Sequence, residues 1–156
     1  MIAYIALGAN LGDARGNIRR AFVLLQEFSD KAIQASSLRE TVPVDCPPGS
    51  PAFVNAVVAL EVRPDETPES LFARLQAIEK TSGRQAKKVL NEPRPLDLDL
   101  IAFGDEVRAT PALTLPHPRA HLRRFVLEPL SEIAPDLVLP GQSESVTRLL
   151  QRLAPD

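Results

Sequence analysis

Two acids one residue apart, Asp97 and Asp99, stand in the run Leu96-Asp97-Leu98-Asp99-Leu100-Ile101. On an extended chain successive side chains alternate, so both carboxylates project from one face while Leu96, Leu98 and Leu100 point to the other. Neighbouring ionised acids repel, and on an apolar strand they need a cationic partner. A hard divalent cation meets that need, because Mg²⁺ takes oxygen ligands and is commonly held by one or two carboxylates together with substrate phosphates and water. A bare D-x-D also suits a solvent-facing strand whose acids only keep it soluble. The surroundings weigh against that simpler reading. Arg84 and Arg94 precede the acids, and Arg119, Arg123 and Arg124 follow them with both histidines of the chain, His117 and His121; no acid occurs from His117 to Arg124. An acid pair between two basic clusters suits polyphosphate transfer, where the protein chiefly positions and neutralises charge.

Phe53 and Asn55, two apart on an apolar stretch, share a face. A ring beside an amide can recognise a flat heterocycle by stacking and hydrogen bonds. A core Phe with Asn at a strand end would look the same, and Phe125 has the same ambiguity. His117, between Pro116 and Pro118, reads as a hydrogen-bond donor to phosphate rather than as a metal ligand. Gly8-Ala9-Asn10-Leu11-Gly12 fits neither G-x-G-x-x-G nor the Walker pattern and reads as a structural turn. Cys46 has no evident activating partner.

These residues need elements to hold them. Ile2 to Leu7 reads as a buried strand ending at Gly8, followed by a helix with Asp13 as N-cap and a stripe of Ile18, Ala21, Phe22, Leu25 and Phe28. A short strand near Ala32 to Leu38 precedes a proline-rich loop over Thr41 to Pro51. Phe53 to Val62 returns as an interior strand. Thr67-Pro68 caps a second helix with the stripe Leu71, Leu75, Ile78, stopped by Gly83. Arg84 to Pro95, with four basic residues and one acid, reads as a mobile basic lid. Leu96 to Phe103 is the acid strand, Asp105 to Pro111 a turn region, Leu113 to Leu115 a short strand, Arg124 to Leu130 a short helix or turn, and Val146 to Leu153 a final amphipathic helix. The order strand, helix, strand, strand, helix, strand is the split βαβ pattern of a ferredoxin-like α+β domain: an α/β sandwich on a mainly antiparallel sheet, with appended strands and helices.

The 156 residues suit one domain over 1–156, and 44% hydrophobic residues suffice for a core without disulfides. Eighteen Lys and Arg against 20 Asp and Glu give a net charge of −2, which lacks the basic field of a general nucleic-acid binder. The single cysteine favours a reducing compartment, and no apolar run approaches the roughly 18 residues of a membrane span. The expectation is a soluble, cytoplasmic protein without nucleic-acid or membrane partners, and a monomer. Fifteen prolines and only 4% aromatics predict stiff loops and a specific packing or stacking role for each Phe.

Five ordered stretches resemble the 6-hydroxymethyl-7,8-dihydropterin pyrophosphokinases of folate biosynthesis: Tyr4 to Gly12, Phe53-Val54-Asn55-Ala56-Val57, Ile78-Glu79 with Gly83-Arg84, Pro93-Arg94-Pro95 through Asp97 and Asp99 to Ile101, and Leu115-Pro116-His117 through Arg123 and Phe125. The resemblance implies a ferredoxin-like core that transfers the β,γ-diphosphate of ATP, the co-substrate, to the pterin hydroxymethyl oxygen and releases AMP. It implies two Mg²⁺ ions on Asp97 and Asp99 and an in-line displacement. Arg84, Arg94, His117 and Arg123 would neutralise the triphosphate, with Arg84 and Arg94 catalytic beside the two acids. Gln76, Glu79, Leu100 and Thr114 would complete the ATP site. Phe53 and Phe125 would sandwich the pterin, while Asn55 and the Thr41, Pro43 and Val44 segment read its polar edge.

The departures from the family pattern cluster around the ATP site. Asn91 and Glu92 occupy places where Trp and Gly are common, Ala86 replaces a second basic residue, and Ala112 and Pro118 stand where Arg and Tyr occur. The reaction is expected intact with a weaker lid. Two rival classes remain: another Mg²⁺-dependent nucleotidyl transferase or cyclase on the same core, and a noncatalytic ligand-binding domain whose acids are surface charge.

Overall fold

In the computed structural model, which describes residues 1–41, 52–82 and 95–153, the chain runs β1 (Ile2–Ala9), α1 (Ala14–Gln26), β2 (Gln34–Ala35), β3 (Arg39–Thr41), β4 (Phe53–Glu61), α2 (Pro68–Thr81), β5 (Asp97–Phe103), β6 (Arg108–Ala109), β7 (Thr114–Leu115), a 3-10 turn (Ala120–Leu122), α3 (Arg124–Ile133) and α4 (Val146–Arg152). The helix starts follow their capping chemistry. Asp13 Oδ1 accepts from Gly16 N at 3.0 Å, and Thr67 and Ser70 exchange side chain and backbone bonds in a capping box, with Pro68 opening the helix. Ile18, Ala21 and Leu25 of α1 and Leu71, Leu75 and Ile78 of α2 are buried, as their spacing requires.

The sheet order is β2-β4-β1-β5, with β3 also pairing β4 and every pairing antiparallel. Each of the two βαβ units is thereby split by a strand of the other, the predicted ferredoxin-like pattern. β4 is apolar on both sides because both sheet faces are covered. Ile18, Leu25, Leu71 and Leu75 pack with Ile5, Leu7, Val58 and Leu98 on one face. Val126, Leu127 and Leu130 of α3 and Val146 and Leu149 of α4 pack with Ala6, Val57, Ile101 and Ala102 on the other.

Several local expectations need correction. Of the strand predicted over Ala32 to Leu38 only β2 forms, and a second piece, β3, begins beyond it: from Ala35 to Arg39 four steps oppose the three from Val58 to Asn55. Ser36, buried within the break, bonds Val57 twice: its N–H donates to Val57 O and its Oγ accepts from Val57 N, each at 2.9 Å, so its hydroxyl replaces a ladder acceptor. Gly8 lies inside β1, not in a turn; the turn falls at Gly12, whose φ of 67° suits glycine. In the turn region predicted over Asp105 to Pro111, β6 pairs with β7. Helix α3 runs on to Ile133, with Pro129 inside it. Apart from Thr41 and Pro95, the proline-rich loop and basic lid, with Pro43, Val44, Cys46, Arg84, Ala86, Asn91, Glu92 and Arg94, lie outside the described residues, as does Gly83.

Candidate active site

Strand register assembles the site. Gly8 is paired with Asn55 on one side and Asp97 on the other, and Asn55 with Arg39, so Asp97, Gly8, Asn55 and Arg39 form one row across the sheet. The next row is Asp99, Ala6 and Val57. Ala6 and Val57 lie beneath α3 and α4, so the acids share that face, and both are half-buried. A β-bulge in β5 lies just beyond: Tyr4 pairs with Ala102 but Ile5 with Leu100, which turns Ile101 and Ala102 to the same core.

Gly8 makes the floor of this row. A Cβ there would lie 3.3 Å from Asn55 Oδ1 and 4.0 Å from Phe53 Cδ1, so the amide and ring do share a face. Asn55 is buried, and its Nδ2 donates to Thr41 Oγ1 at 2.8 Å. The acid strand is held from two helices. Glu79 Oε2 on α2 accepts from Leu98 N at 2.8 Å, between the two acids. Asn17 Nδ2 on α1 donates to Pro95 O at 3.0 Å and Leu11 O at 3.4 Å, tying the approach to β5 to the loop after β1.

Beside the acids opens a cleft of about 260 Å³ lined by Asp99, Leu100, Thr114 and His117, with Phe72, Pro111, Ala112, Leu113 and Pro118. His117 is fixed by its backbone, whose N–H donates to Ile101 O at 2.8 Å, and by Nδ1, which accepts from Arg119 N at 3.2 Å. The neutral ring therefore carries its proton on Nε2, free of that bond. Burial, then Arg123 and Arg119, hold its pKa below the ordinary 6.5, against an opposing pull from Asp97. Arg123 stands at the N-cap position of α3, without a side-chain capping bond, and its guanidinium lies over the Phe125 ring, 5.4 Å from its centroid.

The structure thus brings Asp99, Leu100, Thr114 and His117 to one cleft and Asp97, Asn55 and Thr41 to the adjoining rows. Gln76 is exposed on α2 and does not line the cleft. Sequence reasoning missed Gly8, Asn17, Phe72, Pro111 and Leu113. Phe72 had a signal in the scarcity of aromatics; Gly8 and Asn17 had none, since their roles depend on distant partners. The acids are hard oxygen donors suited to Mg²⁺. Among the described residues no third His, Cys, Asp or Glu joins them in a cluster, so an ion held there would complete its shell with water and substrate oxygens.

The family pattern described as 7,8-dihydro-6-hydroxymethylpterin-pyrophosphokinase (HPPK) matches residues 4–135. A 2-amino-4-hydroxy-6-hydroxymethyldihydropteridine pyrophosphokinase of Haemophilus influenzae is 38% identical over 153 residues, 97% of this chain and 92% of that one. Its namesake in Bacillus subtilis is 40% identical over 133 residues, 85% of this chain and 77% of that one. Wild-type Plasmodium falciparum HPPK-DHPS, crystallised with pteroate, superposes with a TM-score of 0.75 at 14% identity, covering 97% of this chain. This chain spans only 44% of that longer one, and the likeness is one of fold.

Proposed function

The chain belongs to the 7,8-dihydro-6-hydroxymethylpterin-pyrophosphokinase family, and we propose on that premise that it transfers the β,γ-diphosphate of ATP to the hydroxymethyl oxygen of 6-hydroxymethyl-7,8-dihydropterin, releasing AMP, in folate biosynthesis. One observation carries the reading: a single sheet face presents the acid pair, a glycine floor and a buried amide in two adjoining rows, beside a cleft that holds His117 and Thr114.

The pterin ring lies against Phe53 and Phe125, with Asn55 and the Thr41, Pro43 and Val44 segment reading its polar edge. Leu100 and Thr114 in the cleft, with Gln76 and Glu79 on α2, take the nucleoside end of ATP. Arg84, Arg94, Arg123 and the neutral Nε2–H of His117 meet the phosphates; the imidazole donates without first taking up a proton. Asp97 and Asp99 would hold two Mg²⁺ ions, which supply charge neutralisation on the triphosphate and acidify the attacking hydroxyl. Displacement is in line: the substrate oxygen bonds to the β-phosphorus, the bond from that phosphorus to the oxygen bridging to the α-phosphate breaks, and AMP leaves with that oxygen while the hydroxyl proton is released. Glu79, through Leu98 N, and Asn17, through Pro95 O, keep the acid strand in place during this exchange. The functional unit in this reading is one domain over residues 1–156, monomeric and cytoplasmic, with small-molecule partners. No helix among the described residues is long and apolar enough to cross a membrane.

The test is to incubate the protein with Mg-ATP and 6-hydroxymethyl-7,8-dihydropterin and resolve the nucleotides. AMP formed one-for-one with a pterin diphosphate, and lost in Asp97→Ala and Asp99→Ala, is the expected result. ADP would mean simple phosphoryl transfer, pyrophosphate would mean nucleotidyl transfer, and Mg-independent nucleotide binding without turnover would mean a noncatalytic domain; each would overturn the proposal.

A further inference from the structure

The row that carries Asp97, Gly8 and Asn55 ends at Arg39 on β3, and that side chain leaves the sheet for helix α3. Its Nη1 lies 3.5 Å from Glu128 Oε2 and its Nη2 lies 3.2 Å from Glu132 Oε2. Glu128 is also paired with Arg124 at 2.8 Å. Glu132 also accepts from Ser37 N and Ser37 Oγ, each at 2.9 Å. Two carboxylates one helical turn apart repel, and the guanidinium fork between them reconciles them with the edge of the sheet.

The two ends of this bridge carry different walls of the pterin site. On β3, Arg39 pairs with Asn55, and two residues on, Thr41 accepts the Asn55 amide proton. On α3, the first turn holds Phe125. The Arg39 Nε–H is buried with no hydrogen-bond partner among the described residues. An unsatisfied buried donor is a cost, and ion pairs as exposed as these return little stability. An apolar residue would pack against α3 without that cost, so stability alone does not explain the arginine.

We infer that Arg39 is a positioning residue for the dihydropterin: it sets the spacing between the Asn55 amide on the sheet and the Phe125 ring on α3. It touches neither substrate, and acts through Glu128 and Glu132. The inference rests on the pyrophosphokinase reading above and adds to it a residue outside the acid motif, the basic clusters and the aromatic pair.

Steady-state kinetics of Arg39→Met and Arg39→Lys, each with the other substrate saturating, test it. Loss of two half-exposed ion pairs predicts a rise of about fivefold in the KM for dihydropterin in Arg39→Met, with kcat and the KM for ATP within about twofold of the wild type. Arg39→Lys keeps the charge but not the fork and falls between. In a Glu132→Gln background the same Arg39→Met change has a smaller effect, because the two residues act through one contact. A folded Arg39→Met enzyme with an unchanged dihydropterin KM overturns the inference, as does an equal rise in both KM values, which would mark a general loosening of the fold. A wild-type protein that neither binds nor turns over dihydropterin would remove the functional reading itself, and the role of Arg39 with it.

Discussion

Alanine at position 8 adds one methyl group to the sheet face between Asn55 and Asp97. Gly8 has no positive φ, so the added side chain meets no backbone strain. Its Cβ would stand 3.3 Å from Asn55 Oδ1 and 4.0 Å from Phe53 Cδ1. The first contact is tight by a few tenths of an ångström, and Asn55 is restrained by its 2.8 Å bond to Thr41. Crowding that bond costs about 0.5–1 kcal/mol. Removing a glycine from the unfolded ensemble returns about 0.4–1 kcal/mol. The two offset, and the melting temperature of Gly8→Ala should stay within about 4 °C of the wild type. Function should not be spared. Displacing a positioned group by about 1 Å costs about 10²-fold, and here a smaller displacement of the amide adds to a methyl on the site floor. The expectation is a fall of about 10- to 100-fold in kcat/KM for dihydropterin, with a much smaller change for ATP. Thermal unfolding with two-substrate kinetics measures both. A dihydropterin kcat/KM within about twofold of the wild type would refute the placement of Gly8 under the pterin. A stability loss above about 3 kcal/mol would show a core clash instead.

Thr67→Ala removes one half of the α2 capping box and should cost about 1 kcal/mol, lowering the melting temperature by about 2–4 °C with turnover retained. Leu127→Ala, fully buried between α3 and the sheet, should lose about 2–5 kcal/mol in urea unfolding without loss of cooperativity. Glu132 has its pKa lowered from 4.5, chiefly by the Ser37 N–H; its stabilisation is complete above 4.5, where the unfolded group is ionised, and is lost as pH falls through the lower folded value. Urea midpoints of Glu132→Gln should therefore fall less steeply than those of the wild type as pH drops below 4.5, and parallel curves would contradict the assignment.

The most legible parts of the chain were those whose cause is local. The Ile18, Ala21 and Leu25 stripe of α1, the Thr67-Pro68 start of α2 and the alternation of Asp97 and Asp99 against Leu98 and Leu100 stand in the fold as read, whereas Phe28, predicted on the same stripe, packs against the core beyond the helix end at Gln26. The pairing of Phe53 with Asn55 on one face needed only the period of a strand. Reading failed where a local rule met a distant partner. Ser36 reads as an ordinary strand residue, yet its hydroxyl takes a ladder position and breaks the strand in two. Gly8-Ala9-Asn10-Leu11-Gly12 reads as a turn, yet Gly8 is flanked on both sides by strands and continues β1.

Taken by itself, the sequence determined the order of elements, the faces of helices and strands, and the presence of an acid pair among basic residues, because these depend on periods of two and 3.6 and on nearest neighbours. Only the tertiary structure decided which residues share a row. Strand register joins Asp97, Gly8, Asn55 and Arg39 from four separate segments, and helix docking brings Glu128 and Glu132 to Arg39. The cleft wall of Phe72, Leu100 and His117 likewise comes from three segments. A register slip of one residue would turn these side chains to the opposite face without altering any local pattern. What selects the register is burial of both faces of the sheet at once, an energy that belongs to the whole packed sheet.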